Sequence, residues 1–369
     1  MTEITNEQIS STEKRTSETR DITFDIARGF GFLCVVLGHM GWGIAFRAVY
    51  PFHMPLFFLI SGWFLKRNLP AGRFALRRLK QLLPVYLFIM LFHIIRVFTD
   101  CYYWGISEQI PNMLRERITA DLYCIALGSN KTLLGSMEVG SVGLMWFLPA
   151  LFWGLVFTKL VLNVPKLRAQ AGIVILLFVL SMESVKFVWL PFGIQTGGCA
   201  ALFIYIGWLT ANHLLSYIQK NHAQKTASLG KLLLAASFAA WLFEALTGII
   251  PDMCQNKFPY PVICVLCSTV ICFGVLYGSK LLSNCRFAKP LSLCGRYTLV
   301  MLVMHLIETE SVFWDSLLPI VPQLGLAGKV IHHIVLYLFR IALISLMSYA
   351  ACRFRFMRIL FGYETRERA

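Results

Sequence analysis

Charge is scarce in this 369-residue chain. Asp, Glu, Lys and Arg make up 14% of it, where a soluble domain carries about 25%. The same chain is 57% hydrophobic with a mean hydropathy of +0.66, which excludes an ordinary soluble enzyme. No repeat of 20–50 residues recurs, so solenoid and propeller architectures are excluded. No tract suggests a separate soluble domain. A cleavable signal peptide is also lacking: residues 1–20 are polar throughout and read as a disordered cytoplasmic tail. Metal patterns are missing too. Cys264-x-x-Cys267 sits in the middle of an apolar run with no partner pair, so no metal site is expected. Most of the eleven cysteines lie in similar runs and behave as small hydrophobes.

What is present is a series of apolar stretches long enough to span lipid, from residue 24 almost to the end. The fold class is therefore all-α, a polytopic integral membrane protein of about ten transmembrane helices. The spans are expected near 24–46, 52–65, 82–98, 143–161, 171–190, 199–217, 231–250, 260–282, 296–317 and 329–352. Net charge is +15, and the cations gather in short loops. The loop after the second span holds Lys66, Arg67, Arg73, Arg77, Arg78 and Lys80 with no acid. The intervening loops are nearly uncharged or mixed, and such alternation puts both termini in the cytoplasm. It also argues against nucleic acid as a partner, because the basic residues mark topology and not a patch. Three parts are expected: the tail over 1–20, one transmembrane domain over 21–355, and a cytoplasmic C-terminal tail over 356–369.

Two residues in the first span stand out. Arg28 and His39 are eleven positions apart, three helical turns plus roughly 20°, so they share a face with an axial separation of about 16 Å. An arginine at the centre of an inserted helix costs about 2.5–3.5 kcal/mol, so it normally faces protein or water and serves a function. A neutral imidazole is what a general base requires, and His39 is equally suited to a structural hydrogen bond between helices. Asp25, three residues before Arg28, is expected to pair with it. A second feature is Pro51-Phe-His-Met-Pro-Leu-Phe-Phe-Leu-Ile-Ser-Gly62. Two prolines and a glycine there indicate distorted helix, which membrane depth tolerates only where protein or a cavity covers the backbone. His53 lies at its outer end. Further along, His305 and Glu308 are one turn apart and share a face, while Glu183 and Glu244 are intramembrane carboxylates. Lys186 is one turn from Glu183 and favours a local ion pair there.

Asp25-Ile-Ala-Arg28-Gly…Gly-His39 followed by Phe-His53-Met-Pro-Leu-Phe-Phe-x-x-Ser-Gly resembles the opening of the membrane acyltransferase-3 family. Trp146-Phe-Leu-Pro-Ala-Leu-Phe152, Leu202-Phe-Ile-Tyr-Ile-Gly207 and Gly295-Arg-Tyr-Thr-Leu-Val-Met-Leu-Val-Met-His305 are similar to its later segments, so the likeness runs from about residue 20 to 355. The resemblance implies an O-acyltransferase that moves an acyl group, most often acetyl, from cytosolic acyl-CoA to a hydroxyl of a sugar or cell-surface glycan. Acyl-CoA is then a co-substrate and no cofactor stays bound. The lipid bilayer is the standing partner, in a bacterial inner membrane.

Carried over by residue, the resemblance makes His39 the general base and Arg28 the group that steadies the donor or the developing charge. Arg77, Arg78 and Lys80 match the basic stretch where the donor enters, with ordinary positive-inside charge an equal explanation. His53, His305 and Glu308 are expected about the substrates. Gln81 and Leu302 depart from the family pattern, which often has a basic residue and a tyrosine there. The competing class is a transporter or exporter of a glycan or small solute, since midplane polar residues and broken helices describe that class too.

Overall fold

The computed structural model describes residues 21–103, 111, 132–134, 137–139, 143–215, 226–312, 314–319 and 325–363. The tail expected over 1–20, the end of the C-terminal tail and most of the stretch between the expected spans 82–98 and 143–161 lie outside the described residues.

The described residues are helical almost throughout. Helix α1 (Thr23–Gly38) carries Asp25 in its first turn, where a carboxylate suits the positive end of the helix dipole. The apolar run predicts a helix to residue 46, and the helix stops at Gly38 instead. The reason is local. The His39 ring swings back and its Nδ1 bonds the Val35 carbonyl at 2.6 Å, while the backbone N–H of His39 turns to Val36 O. Gly41, at φ +69°, then reverses the chain. Helices α2 (Gly43–Val49) and α3 (His53–Trp63) form the return crossing over Gly43–Trp63. The hairpin therefore falls at 39–42 and not at the expected 47–51.

Pro55 lies in the first turn of α3, where its missing N–H costs nothing. Protein covers the irregular backbone ahead of it: Ser268 Oγ donates to Pro51 O at 2.5 Å, and Cys272 Sγ contacts Phe52 O. Trp241 Nε1 anchors α2 by donating to Ala48 O at 2.7 Å.

Helix α4 (Ala71–Tyr103) is 33 residues long with Pro84 inside it, so the basic loop after the second crossing is itself largely helical. A short antiparallel hairpin, β1 (Thr132–Leu134) with β2 (Met137–Val139), follows. Then come α5 (Phe147–Val161), α6 (Leu167–Ser184), α7 (Ile194–Leu209), α8 (Thr226–Thr247) and α9 (Pro261–Leu282). Helices α10 (Ala288–Arg296) and α11 (Thr298–Ser311) meet at a 78° bend. The chain ends in α12 (Leu326–Arg353) and the short α13 (Arg355–Leu360).

Among the described residues eight helices are long and apolar enough to cross a membrane, or nine if the bent pair is one span. The 16 residues of α1 rise about 24 Å, short of the roughly 30 Å hydrocarbon core, which is why it does not qualify by length. Apart from that one short hairpin, the regular structure of the described residues is helical, and the chain is a polytopic membrane protein.

Helices α6, α8 and α12 turn apolar side chains such as Leu180, Phe238 and Leu338 outward, as a lipid-facing layer requires. Helices α1, α3, α5 and α7 lie inside that layer. The contact between α1 and α10 is unusually close. A Cβ on Gly29 would strike Leu291 O, and one on Gly295 would strike Asp25 O. That contact brings Arg296 and Arg28 to the same cavity. It also starts α11 at the level of Arg28, so α11 runs alongside α1 and brings His305 next to His39.

Candidate active site

A cavity of about 410 Å³ lies against α1. Arg28, Phe32, Val35 and His39 line it, one helical face from end to end, as the eleven-residue spacing requires. Its two ends differ in chemistry. Arg28, Arg78 and Arg296 stand at one end; Tyr50, Asp252, Thr309 and Glu310 stand at the other.

At the basic end Arg28 Nη1 lies 3.6 Å from Asp25 Oδ1, the expected pairing, and its guanidinium sits over the Phe64 ring at 5.3 Å. Arg78 Nη1 donates to Gln81 Oε1 at 2.9 Å, and both residues line the cavity. Gln81, where the family often has a base, thus holds the neighbouring arginine. Arg77 and Lys80 do not line the cavity. Successive helical positions are 100° apart, so α4 aims Arg78 inward and leaves those two on its exposed side.

The other end is rich in imidazoles. A carbonyl only accepts, so the contact with Val35 O places the hydrogen of a neutral His39 ring on Nδ1 and leaves Nε2 with a lone pair. His53 is buried and follows the same rule, with Nδ1 at 2.9 Å from Val49 O. The Tyr50 ring lies between the two, 6.3 Å from His39 and 4.8 Å from His53. Nothing in the sequence marks Tyr50 out. A tyrosine in a short loop between two histidine-bearing segments is a weak signal that spacing does not single out.

His305 and Glu308 are fully buried and stand behind the cavity wall. The His305 ring is 5.7 Å from that of His39, nearly perpendicular to it. His305 Nδ1 bonds Glu308 Oε2 at 2.9 Å. Its Nε2 is buried with no hydrogen-bond partner among the described residues. Glu308 also accepts from Arg340 through Nε at 2.8 Å and Nη2 at 3.1 Å, and from Trp314 Nε1. The same Arg340 donates through Nη1 to His39 O at 3.3 Å and through Nη2 to Thr309 Oγ1 at 2.9 Å. One guanidinium therefore ties the buried carboxylate to the broken end of α1.

Arg340 joins the candidate site but is absent from the sequence-based expectations, although it carries a usable signal. A lone arginine in the middle of an apolar span demands a partner for the same reason that Arg28 does. Of the other carboxylates, Glu183 pairs with Lys186 at 2.5 Å near the end of α6. Glu244 is fully buried in α8, outside the cavity lining, and neither of its oxygens has a hydrogen-bond partner among the described residues.

The arrangement is suited to acyl transfer. A lone-pair nitrogen faces a largely apolar cavity, where water competes weakly. Guanidinium groups at the far end can hold phosphates. The wall between them is long enough for an extended donor arm.

Comparison with known proteins agrees with this chemistry. The nodulation protein NolL of Sinorhizobium fredii is 27% identical over 118 residues, which cover 28% of this chain and 32% of that protein. The chain thus spans about a third of the length of that curated relative. No solved structure matches the chain. The family model of the acyltransferase domain matches residues 21–352, nearly everything between the two tails. This chain belongs to the acyltransferase-3 family of membrane proteins.

Proposed function

We propose that the protein is a membrane O-acyltransferase that moves an acyl group, most simply acetyl, from cytosolic acyl-CoA to a hydroxyl of a sugar or cell-surface glycan precursor. The observation that carries this is His39. It lines the cavity with its Nδ1 committed to a backbone carbonyl, so its Nε2 is the proton acceptor. The acceptor oxygen attacks the thioester carbonyl carbon as its proton passes to Nε2. The carbon–sulfur bond then breaks, and the proton returns from Nε2 to the leaving thiolate. The products are an ester and free CoA. Arg28, eleven residues earlier on the same wall, steadies the donor, and Arg78 and Arg296 extend that positive field toward the phosphates. His53 and Tyr50 face the acceptor end.

His305, Glu308 and Arg340 act behind His39. Arg340 holds the carbonyl at the broken helix end and keeps the Glu308 carboxylate satisfied, so the imidazole pair keeps its geometry. The loop charges support both termini and the basic end of the cavity lying on the cytosolic side of a bacterial inner membrane, where acyl-CoA is made.

The test is transfer of labelled acetyl from acetyl-CoA by the purified protein in nanodiscs, with envelope glycans as acceptors. Mass spectrometry of glycans from a deletion strain identifies the acceptor. Full activity of His39→Ala overturns the mechanism. Solute flux without acyl transfer restores the transporter as the better explanation.

A further inference from the structure

The family match ends at residue 352, yet the chain beyond it returns to the cavity. After α13 the backbone turns back at Gly362, at φ +71°. The turn is held by three backbone bonds, from the N–H groups of Phe361, Gly362 and Tyr363 to the carbonyls of Met357, Ile359 and Arg358, at 3.0, 3.0 and 2.8 Å. This hook inserts two aromatic side chains into the cavity wall. Phe361 is 6% exposed and packs in the main core cluster. Tyr363 lies 5.0 Å from the Tyr297 ring, and its Oη donates to Arg296 O at 3.4 Å. Both line the cavity together with Arg28, Arg78 and Arg296.

Ring faces set among guanidinium groups are the chemistry that recognises a nucleotide. A base stacks on the aromatic ring while phosphates take the arginine hydrogen bonds. An anionic phospholipid headgroup that carries no ammonium, such as a phosphatidylglycerol, uses the arginines and has no flat π-system to stack on the rings. We propose that the C-terminal hook, residues 361–363, with Arg296, forms the subsite for the adenine-nucleotide end of a CoA-type donor. This subsite rests on the proposed acyl-CoA reaction. The pantetheine arm then runs from the hook past Arg28 toward His39, so the cavity length is used in full. It also gives the segment after α12 a function distinct from that of a plain tail.

The experiment compares two donors in nanodiscs: acetyl-CoA, and the acetyl thioester of N-acetylcysteamine, which lacks the nucleotide. Tyr363→Ala is expected to lower the acetyl-CoA to short-thioester specificity ratio about tenfold, through KM for acetyl-CoA, a size consistent with loss of one base stack. Tyr363→Phe keeps the ring and restores most of that ratio. The nucleotide fragment of CoA, without its pantetheine arm, should inhibit the wild type and lose potency against Tyr363→Ala. Equal losses with both donors would mean that the hook only supports the fold, and the proposal fails. An unchanged ratio, or inhibition by anionic lipid in place of the nucleotide fragment, overturns it as well. A wild type that transfers from neither thioester overturns the acyl-CoA reaction itself, and the subsite with it.

Discussion

His39 and His305 are the same side chain less than 6 Å apart, ring to ring, in opposite settings. His39 bonds a backbone carbonyl through Nδ1 and turns its other nitrogen toward a cavity. His305 bonds a carboxylate through Nδ1 and is sealed from solvent. A carbonyl fixes a tautomer and leaves the ring free to take and return a proton. A carboxylate clamped by an arginine fixes the ring within a buried network whose members depend on one another. Under the proposed mechanism, chemistry belongs to the first histidine, which lines the cavity, and positioning to the second.

The strongest way to break that distinction is to remove each histidine in turn. His39→Ala should lower kcat by about 10²–10⁴-fold, the usual contribution of a general base, with the same elution profile in detergent. His305→Ala should cost clearly less in kcat. A larger loss at His305 than at His39 would reverse the two roles. The next effect is on stability. Arg340→Ala leaves the Glu308 carboxylate buried without its main partner, a change that costs about 3–5 kcal/mol in comparable pairs. It should show as a markedly lower melting temperature. Glu308→Gln together with Arg340→Met should recover much of that loss, because no unpaired charge is left buried.

Smaller effects sharpen the contrast between the two ends of the cavity. Arg78→Gln should raise KM for acetyl-CoA by roughly tenfold, the value of one charge-assisted hydrogen bond. Arg77→Gln on the exposed face of the same helix should leave KM within about twofold, as expected for a screened surface charge. Equal effects would point to a diffuse basic field in place of a defined contact. The smallest change is expected from Asp25→Asn. The Asp25–Arg28 pair spans 3.6 Å, with Arg28 30% and Asp25 5% exposed, and Asn keeps the size and hydrogen-bonding shape of the buried partner, so a loss of about 1 kcal/mol is expected.

These residues also show how far the amino-acid order is legible. Helical class follows from apolar runs, because lipid leaves the backbone no other way to satisfy its hydrogen bonds. The shared face of Arg28 and His39 follows from 3.6 residues per turn, and both do line one cavity. The end of α1 was not legible. It depends on a side chain, His39 Nδ1, taking the carbonyl that the backbone would otherwise use, and on Gly41 reversing the chain. Nor did spacing distinguish Arg78 from Arg77 and Lys80, since that depends on which side of α4 meets α5.

By itself the sequence determined a polytopic helical membrane protein with a cation and an imidazole on one helix face, because periodicity and transfer free energy are local properties of the chain. Tertiary structure alone decided that Arg340, some three hundred residues from His39, grips its carbonyl and the Glu308 carboxylate together. It also decided that Phe361 and Tyr363 close on the arginine end of the cavity. Both are contacts between helices, and no period within one helix encodes which face its neighbour will meet.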